Sequence, residues 1–251
     1  IQAAHDATTT LAGDTIYCEG SASGVGGLYC TKPLTIIGTG YFLSENPETQ
    51  AVPLASYTDF IYFQTGSEGS KVSGMTIGYI YLYTSNIIIT RNKINMTSYG
   101  ISGQAYNLTN IIIAQNYVGA GYYYNYAIYF PYDATNILIT NNYIEGYLLS
   151  GTNFSSIVTN NVFYGYLQVY NSVIKNNILY GAGYFTNYNC VYTNNISYDA
   201  SFGSADGNQS NVTMSTVFQL TGSSDGRWML LPGSPALGAG ENGVDCGMFG
   251  G

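Results

Sequence analysis

The sequence predicts an all-β fold, a solenoid of about ten stacked parallel β coils closed at its start by a short helix. Two observations predict it. A nine-residue phrase is written six times: NIIITRNKI at 86–94, NIIIAQNYV at 110–118, NILITNNYI at 136–144, SSIVTNNVF at 155–163, NSVIKNNIL at 171–179 and NCVYTNNIS at 189–197. Each copy is a β-branched run, an asparagine and another apolar residue, recurring every 16 to 26 residues, the period of one coil in a repeat architecture. The second observation is composition. Only 8% of residues are charged and 27 are tyrosine, against about 25% charged in an ordinary domain, so the surface is built from Ser, Thr, Asn, Gly and Tyr.

The elements follow in order. Residues 1–12 read as a helix with Ile1, Ala4 and Leu11 on its apolar side and Gly13 as its stop. Such a helix caps the unpaired strand edges at the start of a solenoid. Segments 13–20 and 32–42 read as the first strands, and 44–58, with two prolines, as a loop. Residues 60–78 carry the next coil, with Gly74 where later coils place asparagine. Coils run to 198. The stretch 199–226 is irregular and leads to Trp228, Met229, Leu230 and Leu231, which are placed to close the far end of the core. The chain is thus one domain, 1–251: cap 1–12, coils 13–198, irregular C-terminal coils and cap 199–251.

Aligning the copies defines columns. Asn92, Asn116, Asn142, Asn161, Asn177 and Asn195 form the first. Asparagine tolerates the left-handed conformation that a sharp bend needs and can bond its equivalent one coil away as a ladder. Tyr79, Tyr99, Tyr126, Tyr147, Tyr166 and Tyr184 begin strands upstream of each asparagine. Stacked, their rings form a ladder that either stiffens the sheet or offers a platform to sugar rings or a partner. Tyr164, Tyr180 and Tyr198 form a shorter one. Ile88, Ile112, Leu138, Ile157, Val173 and Val191 lie beside a second apolar column, Ile89 to Tyr192. Successive strand residues point to opposite faces. One column therefore faces outward, as an association stripe, unless the 199–226 tail or a bend covers it. Thr90, Thr140, Thr159 and Thr193 share a further column, interrupted by Ala114 and Lys175, which raises ice binding as a third reading.

A net charge of −8 argues against nucleic acid or an anionic membrane as partner, and no apolar run approaches a membrane span. The four cysteines allow two disulfides, Cys18–Cys30 and Cys190–Cys246, in an oxidising compartment. The alternative is four reduced core thiols. One histidine and no CxxC leave no zinc pattern, and neither metal nor cofactor is expected. Glu68, Asp133, Glu145 and Asp199 do not fall on neighbouring coil positions, so no carboxylate pair is formed. Arg91 and Lys93 share a coil, a weak anion-site signal. His5 belongs to the cap, and Asp206–Ser210 is a weak match to a calcium loop that lacks the downstream glutamate. N-x-S/T triplets begin at Asn95, Asn107, Asn153, Asn195, Asn208 and Asn211.

IQAAHDATTTLAGDTIYCEG, KPLTIIGTGYFLSENPETQ and GSEGSKVSGMTIG resemble the opening of secreted right-handed parallel β-helix repeat proteins common in Bacteroidetes. GSPALGAGENGVDCGMFGG is similar to their SPAIGAG…DIGAF-like closing motif. The resemblance spans nearly the whole chain. It implies a single-stranded right-handed parallel β-helix of the pectate-lyase-like superfamily, exported to the cell surface or beyond, with any leader and C-terminal sorting domain removed. That superfamily holds lyases, hydrolases, tailspikes and adhesins. The GHG, RIK-like and paired-aspartate motifs of polygalacturonases and the WxDH-like motif of pectate lyases are missing, so no catalytic residue is carried over. The expected function is a non-catalytic structural or adhesive surface protein that self-associates, into fibres through its apolar and tyrosine-rich faces, or binds another surface protein. A carbohydrate-binding or carbohydrate-active protein is the alternative.

Overall fold

The computed structural model describes residues 1–45, 53–95, 97–119, 125–181 and 188–251. Its strands stack coil upon coil into a parallel β-solenoid. The first face is a nine-stranded parallel sheet running from Thr15–Tyr17 through Thr35–Ile37, Lys71–Ser73, Ile87–Thr90, Leu108–Ala114, Ala134–Thr140, Phe154–Thr159 and Val173–Lys175 to Val191–Thr193. Nine rungs replace the ten coils expected, because the chain after Thr193 adds no further strand to this sheet.

The β-branched runs become strands because one side of each can be buried. Ile87, Ile89, Ile111, Ile113, Ile137 and Ile139 are buried in the core while Ile88, Ile112 and Leu138 between them are not, the period-two pattern of a sheet with one buried face. Leu108, Phe130 and Phe154 complete the interior.

The second sheet forks. Strands Ser56–Phe63 and Met75–Leu82 run unbroken for eight residues, the first of them taking in the end of the segment expected to be loop. Later coils split this run in two. One branch continues as Tyr99–Gly103, Tyr126–Phe130, Tyr147–Ser150 and Leu167–Gln168. The other continues as Lys93–Ile94, Tyr117–Val118, Tyr143–Glu145, Val162–Tyr164, Ile178–Leu179 and Ile196–Ser197. Glycine marks the bend between branches. Gly146 and Gly165 have φ of 117° and 157°, and a Cβ on Gly165 would stand 2.2 Å from the Gly146 carbonyl oxygen, so no larger residue fits.

The N-terminal helix is Gln2–Asp6, five residues instead of twelve. Ala7 is already extended, and the β-branched run Thr8–Thr10 resists helix. The Thr10 hydroxyl instead donates to the Ala4 carbonyl at 2.7 Å. The helix satisfies the first edge strand: Tyr29 N–H donates to the Gln2 side chain at 2.7 Å, and Thr31 N–H to His5 Nε2 at 3.1 Å. His5 is therefore a buried structural residue whose Nδ1–H donates to Asp6.

Neither expected disulfide exists; all four cysteines are free. Cys18 follows a strand of the first sheet and Cys30 lies in a strand of the second, and the thiols of Cys30, Cys190 and Cys246 are taken up by backbone carbonyls of Lys32, Val169, Tyr188 and Asn194. Burial pushes all four thiols above the usual range, which marks them as inert core groups.

Residues 199–211 close the far end of the solenoid, with Phe202 inserted into the main core. Trp228 does not sit there. The chain turns back along the flank, and Met214, Val217, Phe218, Trp228, Ala236 and Cys246 form a second core against Tyr143, Val162, Ile178 and Ile196, on the outside of the second branch. Met229 is left exposed. The C-terminal segment is thus a strap over one face.

Candidate binding faces

The bend between the first face and the second branch is built from two adjacent residues with different tasks. Asn92, Asn116, Asn142, Asn161, Asn177 and Asn195 are fully buried. The Oδ1 of each accepts the backbone N–H of its predecessor one coil back, at 2.8–3.0 Å from Asn92→Asn116 to Asn177→Asn195. Each Nδ2 donates to the next Oδ1 and to a carbonyl of the preceding coil, and all but Asn195 also to a carbonyl of their own coil, as Asn142 does to Asn161, Ile113 and Thr140, all at 2.9 Å. Asn208 adds a seventh rung, so Asp206–Ser210 is a ladder terminus instead of a calcium loop. Met75, whose N–H donates to Asn92 Oδ1, occupies the position before the first.

The left-handed conformation expected of these asparagines belongs to their predecessors. Arg91, Gln115, Asn141, Asn160, Asn176 and Asn194 have φ between 54° and 57°. Gly74, with φ of 72°, precedes them in this column, one residue away from the ladder position assigned to it from sequence. Four of these side chains hold the strap. Asn194 Nδ2 donates to the Ala239 carbonyl, Asn160 to Asp245, and Asn141 to Met248 and Gly250, while Asn176 Oδ1 accepts Glu241 N–H. Sequence reasoning missed this column. Its signal was present: NN occurs in the four copies whose left-handed asparagines bond the strap, RN and QN in the two where no such bond is made among the described residues.

The third structural column is aromatic. Tyr99, Tyr126, Tyr147 and Tyr166 stand one above another, with ring centroids 5.3, 5.8 and 5.3 Å apart. Tyr79 is displaced, because Ile80 pairs with Ile101 and sets Tyr79 opposite Gly100. Tyr81 takes its place, 6.5 Å from Tyr99, and continues to Tyr62 at 5.0 Å and Tyr29 at 5.2 Å. Seven half-buried or exposed rings therefore line up across seven successive coils. Phe60, Tyr79, Tyr83 and Tyr129 widen the band. Tyr184 lies outside the described residues. Burial, the bond to Tyr79 and crowding by Tyr81 and Tyr83 hold the Tyr62 hydroxyl protonated well above the ordinary tyrosine range. Burial likewise raises Tyr81 and Tyr129. These rings stay neutral and offer apolar faces with hydroxyl tips. Of the shorter ladder, Tyr164 and Tyr180 touch at 5.6 Å beneath the strap, where Tyr180 meets Trp228, and Tyr198 is exposed.

The outward column of the first face reads Ile88, Ile112, Leu138, Ile157, Val173 and Val191, in register. The strap lies elsewhere and no bend turns the column inward. Its last three members are the most exposed, at 46% for Ile157, 38% for Val173 and 58% for Val191. Two residues on, Thr90, Ala114, Thr140, Thr159, Lys175 and Thr193 are also in register. On the other side Asn86, Asn110 and Asn136 make an outer ladder through their side-chain amides.

Arg91 and Lys93 do not act together. Arg91 Nε donates to Gln115 Oε1 at 2.9 Å, whereas Lys93 Nζ lies over the Phe42 ring at 4.7 Å and burial pulls its pKa down. Among the described residues no three His, Cys, Asp or Glu side chains gather as a metal-binding group, and no helix is long and apolar enough to cross a membrane. Of the N-x-S/T asparagines, Asn195 and Asn208 are buried in the ladder, and Asn107, Asn153 and Asn211 are exposed. No protein-family model, no curated protein and no solved structure matches the chain.

Proposed function

We propose that this solenoid is a non-catalytic adhesive protein of the cell surface that holds neutral polysaccharide chains along its tyrosine face. The observation that carries the reading is the line of rings from Tyr29 to Tyr166. Sugar rings present apolar C–H faces and a rim of hydroxyls. A row of phenol rings with hydroxyl tips complements both, and rigid aromatics cost little conformational entropy on binding. The acidic chain disfavours anionic polymers. Membership of the secreted Bacteroidetes β-helix proteins, and a position outside the cell, rest on the resemblance at the two ends of the chain. The cysteines, being free, lend that position no support.

The test is affinity electrophoresis through gels containing mannan, starch or soluble β-glucan. Retardation by at least one is expected, and the combined substitution Tyr99→Ala, Tyr126→Ala and Tyr147→Ala should weaken it about tenfold or more while the circular dichroism spectrum persists. Unretarded migration of the intact chain through every gel removes the proposal. Release of reducing or unsaturated ends from a bound polymer would replace adhesion by an enzymatic reading.

A second reading concerns the aliphatic column. A contiguous apolar stripe is seldom left uncovered, and Ile157, Val173 and Val191 are its most exposed part. This favours self-association of the surface protein through the first face.

A further inference from the structure

The strap leaves a cavity at its head. The column of left-handed residues passes beneath the strap at Asn194, Asn176, Asn160 and Asn141, and the last contact is Asn141 with Met248 and Gly250. The next two positions of the column are Gln115 and Arg91. There a cavity of ≈ 150 Å³ opens, lined by Tyr41, Arg91, Gln115, Asn141, Asp225, Met248 and Phe249. Three distant parts of the chain build it: the loop at Tyr41, three coils of the solenoid, and the strap. Glu45 ties loop to strap by accepting Ser224 N–H at 2.6 Å and the Ser224 hydroxyl at 3.1 Å.

Its polar groups are only partly engaged. Arg91 uses Nε on Gln115, and its two terminal nitrogens have no hydrogen-bond or ion-pair partner among the described residues. Gln115 spends Oε1 on Arg91, and its amide donor has no partner among the described residues. Among the described residues the Asp225 carboxylate accepts only its neighbour Gly226 N–H, at 3.0 Å, through one oxygen. Arg91 and Asp225 line the same cavity without an ion pair between them among the described residues, so it holds both free donors and a free acceptor. The Tyr41 ring, whose hydroxyl donates to the Gln115 carbonyl at 3.4 Å, and the exposed Phe249 ring flank the space.

We infer that this cavity binds one neutral sugar ring. Neighbouring hydroxyls of a pyranose each donate and accept, so one can give its proton to Asp225 while the next accepts from Arg91 or Gln115. An anion would meet Asp225 as well as Arg91, and the two charges cancel, which favours an uncharged polyol. The volume is well under the ~300 Å³ at which drug-sized sites begin, which limits the occupant to a single ring. The site is separate from the tyrosine face and takes from that reading only the class of ligand. It would capture a chain end or a branch sugar while the face holds the chain.

The test is saturation-transfer NMR and calorimetry on the intact chain with glucose, galactose and mannose, one at a time. Binding of at least one in the millimolar range is expected. Asp225→Asn and Arg91→Asn should each weaken it about tenfold or more; asparagine at 91 suits the left-handed backbone, as it does in four other coils. Thermal midpoints near that of the intact chain establish that both variants fold. The combined Tyr99→Ala, Tyr126→Ala and Tyr147→Ala variant should keep monosaccharide binding that depends on Asp225 and Arg91 even though it weakens retention by polysaccharide gels. The inference is overturned if none of the three sugars binds, if neither variant weakens binding, or if sulfate displaces the sugar, which would mark an anion site on Arg91.

Discussion

At the scale of single residues, the asparagine ladder is the part of the molecule least able to tolerate change. Removing the Asn142 side chain strands Asn116 N–H in the interior and takes one donor each from the Ile113 and Thr140 carbonyls and from Asn161 Oδ1. A buried polar group without a partner costs about 1–3 kcal/mol. Asn142→Ala is therefore expected to lose about 3 kcal/mol of stability in thermal or urea unfolding. Asn136→Gly, on the exposed outer ladder where the backbone is left-handed with φ of 54°, should lose under about 1 kcal/mol. Equal losses would show that the inner ladder carries no special weight. The two asparagines of each NN pair look alike in sequence, yet the backbone turns the second inward and leaves the first left-handed and facing the flank.

The strap is the element in which one face of the solenoid finds its cover. Tyr143 stacks on Trp228 at 4.6 Å and on Tyr117 at 4.5 Å. Burial, with Glu145 nearby, pushes Tyr117 up to about 12, and burial raises Tyr143 further. An exposed tyrosine titrates near ~10. The docked strap therefore holds protons that the undocked state releases first, and docking weakens as pH rises from about 10 through about 12. Below that window the contribution is complete. Hydrogen exchange of residues 236–250 should be slow at pH 8 and accelerate at alkaline pH before the coils exchange. Asn160→Gly combined with Asn176→Gly, which keeps the left-handed backbone of both positions, should bring the same acceleration already at pH 8. Exchange of strap and coils in step under both conditions would mean that the strap is not a separate unit.

For the whole molecule, the faces divide the work. One is sealed by the strap, one carries the tyrosines, and the first presents an aliphatic column between asparagine and threonine columns. Self-association through that column predicts concentration-dependent sedimentation of the intact chain. Ile157→Lys with Val191→Lys is expected to shift it to monomer while leaving polysaccharide retention intact. A chain that sediments as monomer at every concentration ends this reading.

The repeat, the buried ladder, the tyrosine stack and the outward aliphatic column were all legible in the sequence, because each depends on order within one coil and on coils stacking in register. What depended on the tertiary structure is contact between residues far apart. Asn141 meets Gly250 across 109 residues, and no local pattern announces that the chain returns along its own flank. Pairing register moved Tyr79 out of the line and brought Tyr29, Tyr62 and Tyr81 into it. The cysteine pairs failed for the same reason: an even count is a property of composition, whereas a bond needs two thiols facing each other, and these face backbone carbonyls instead. Local periodicity determined the solenoid and its columns. The folding back of the strap decided which face is covered, which stay open, and where the cavity beside Arg91 lies.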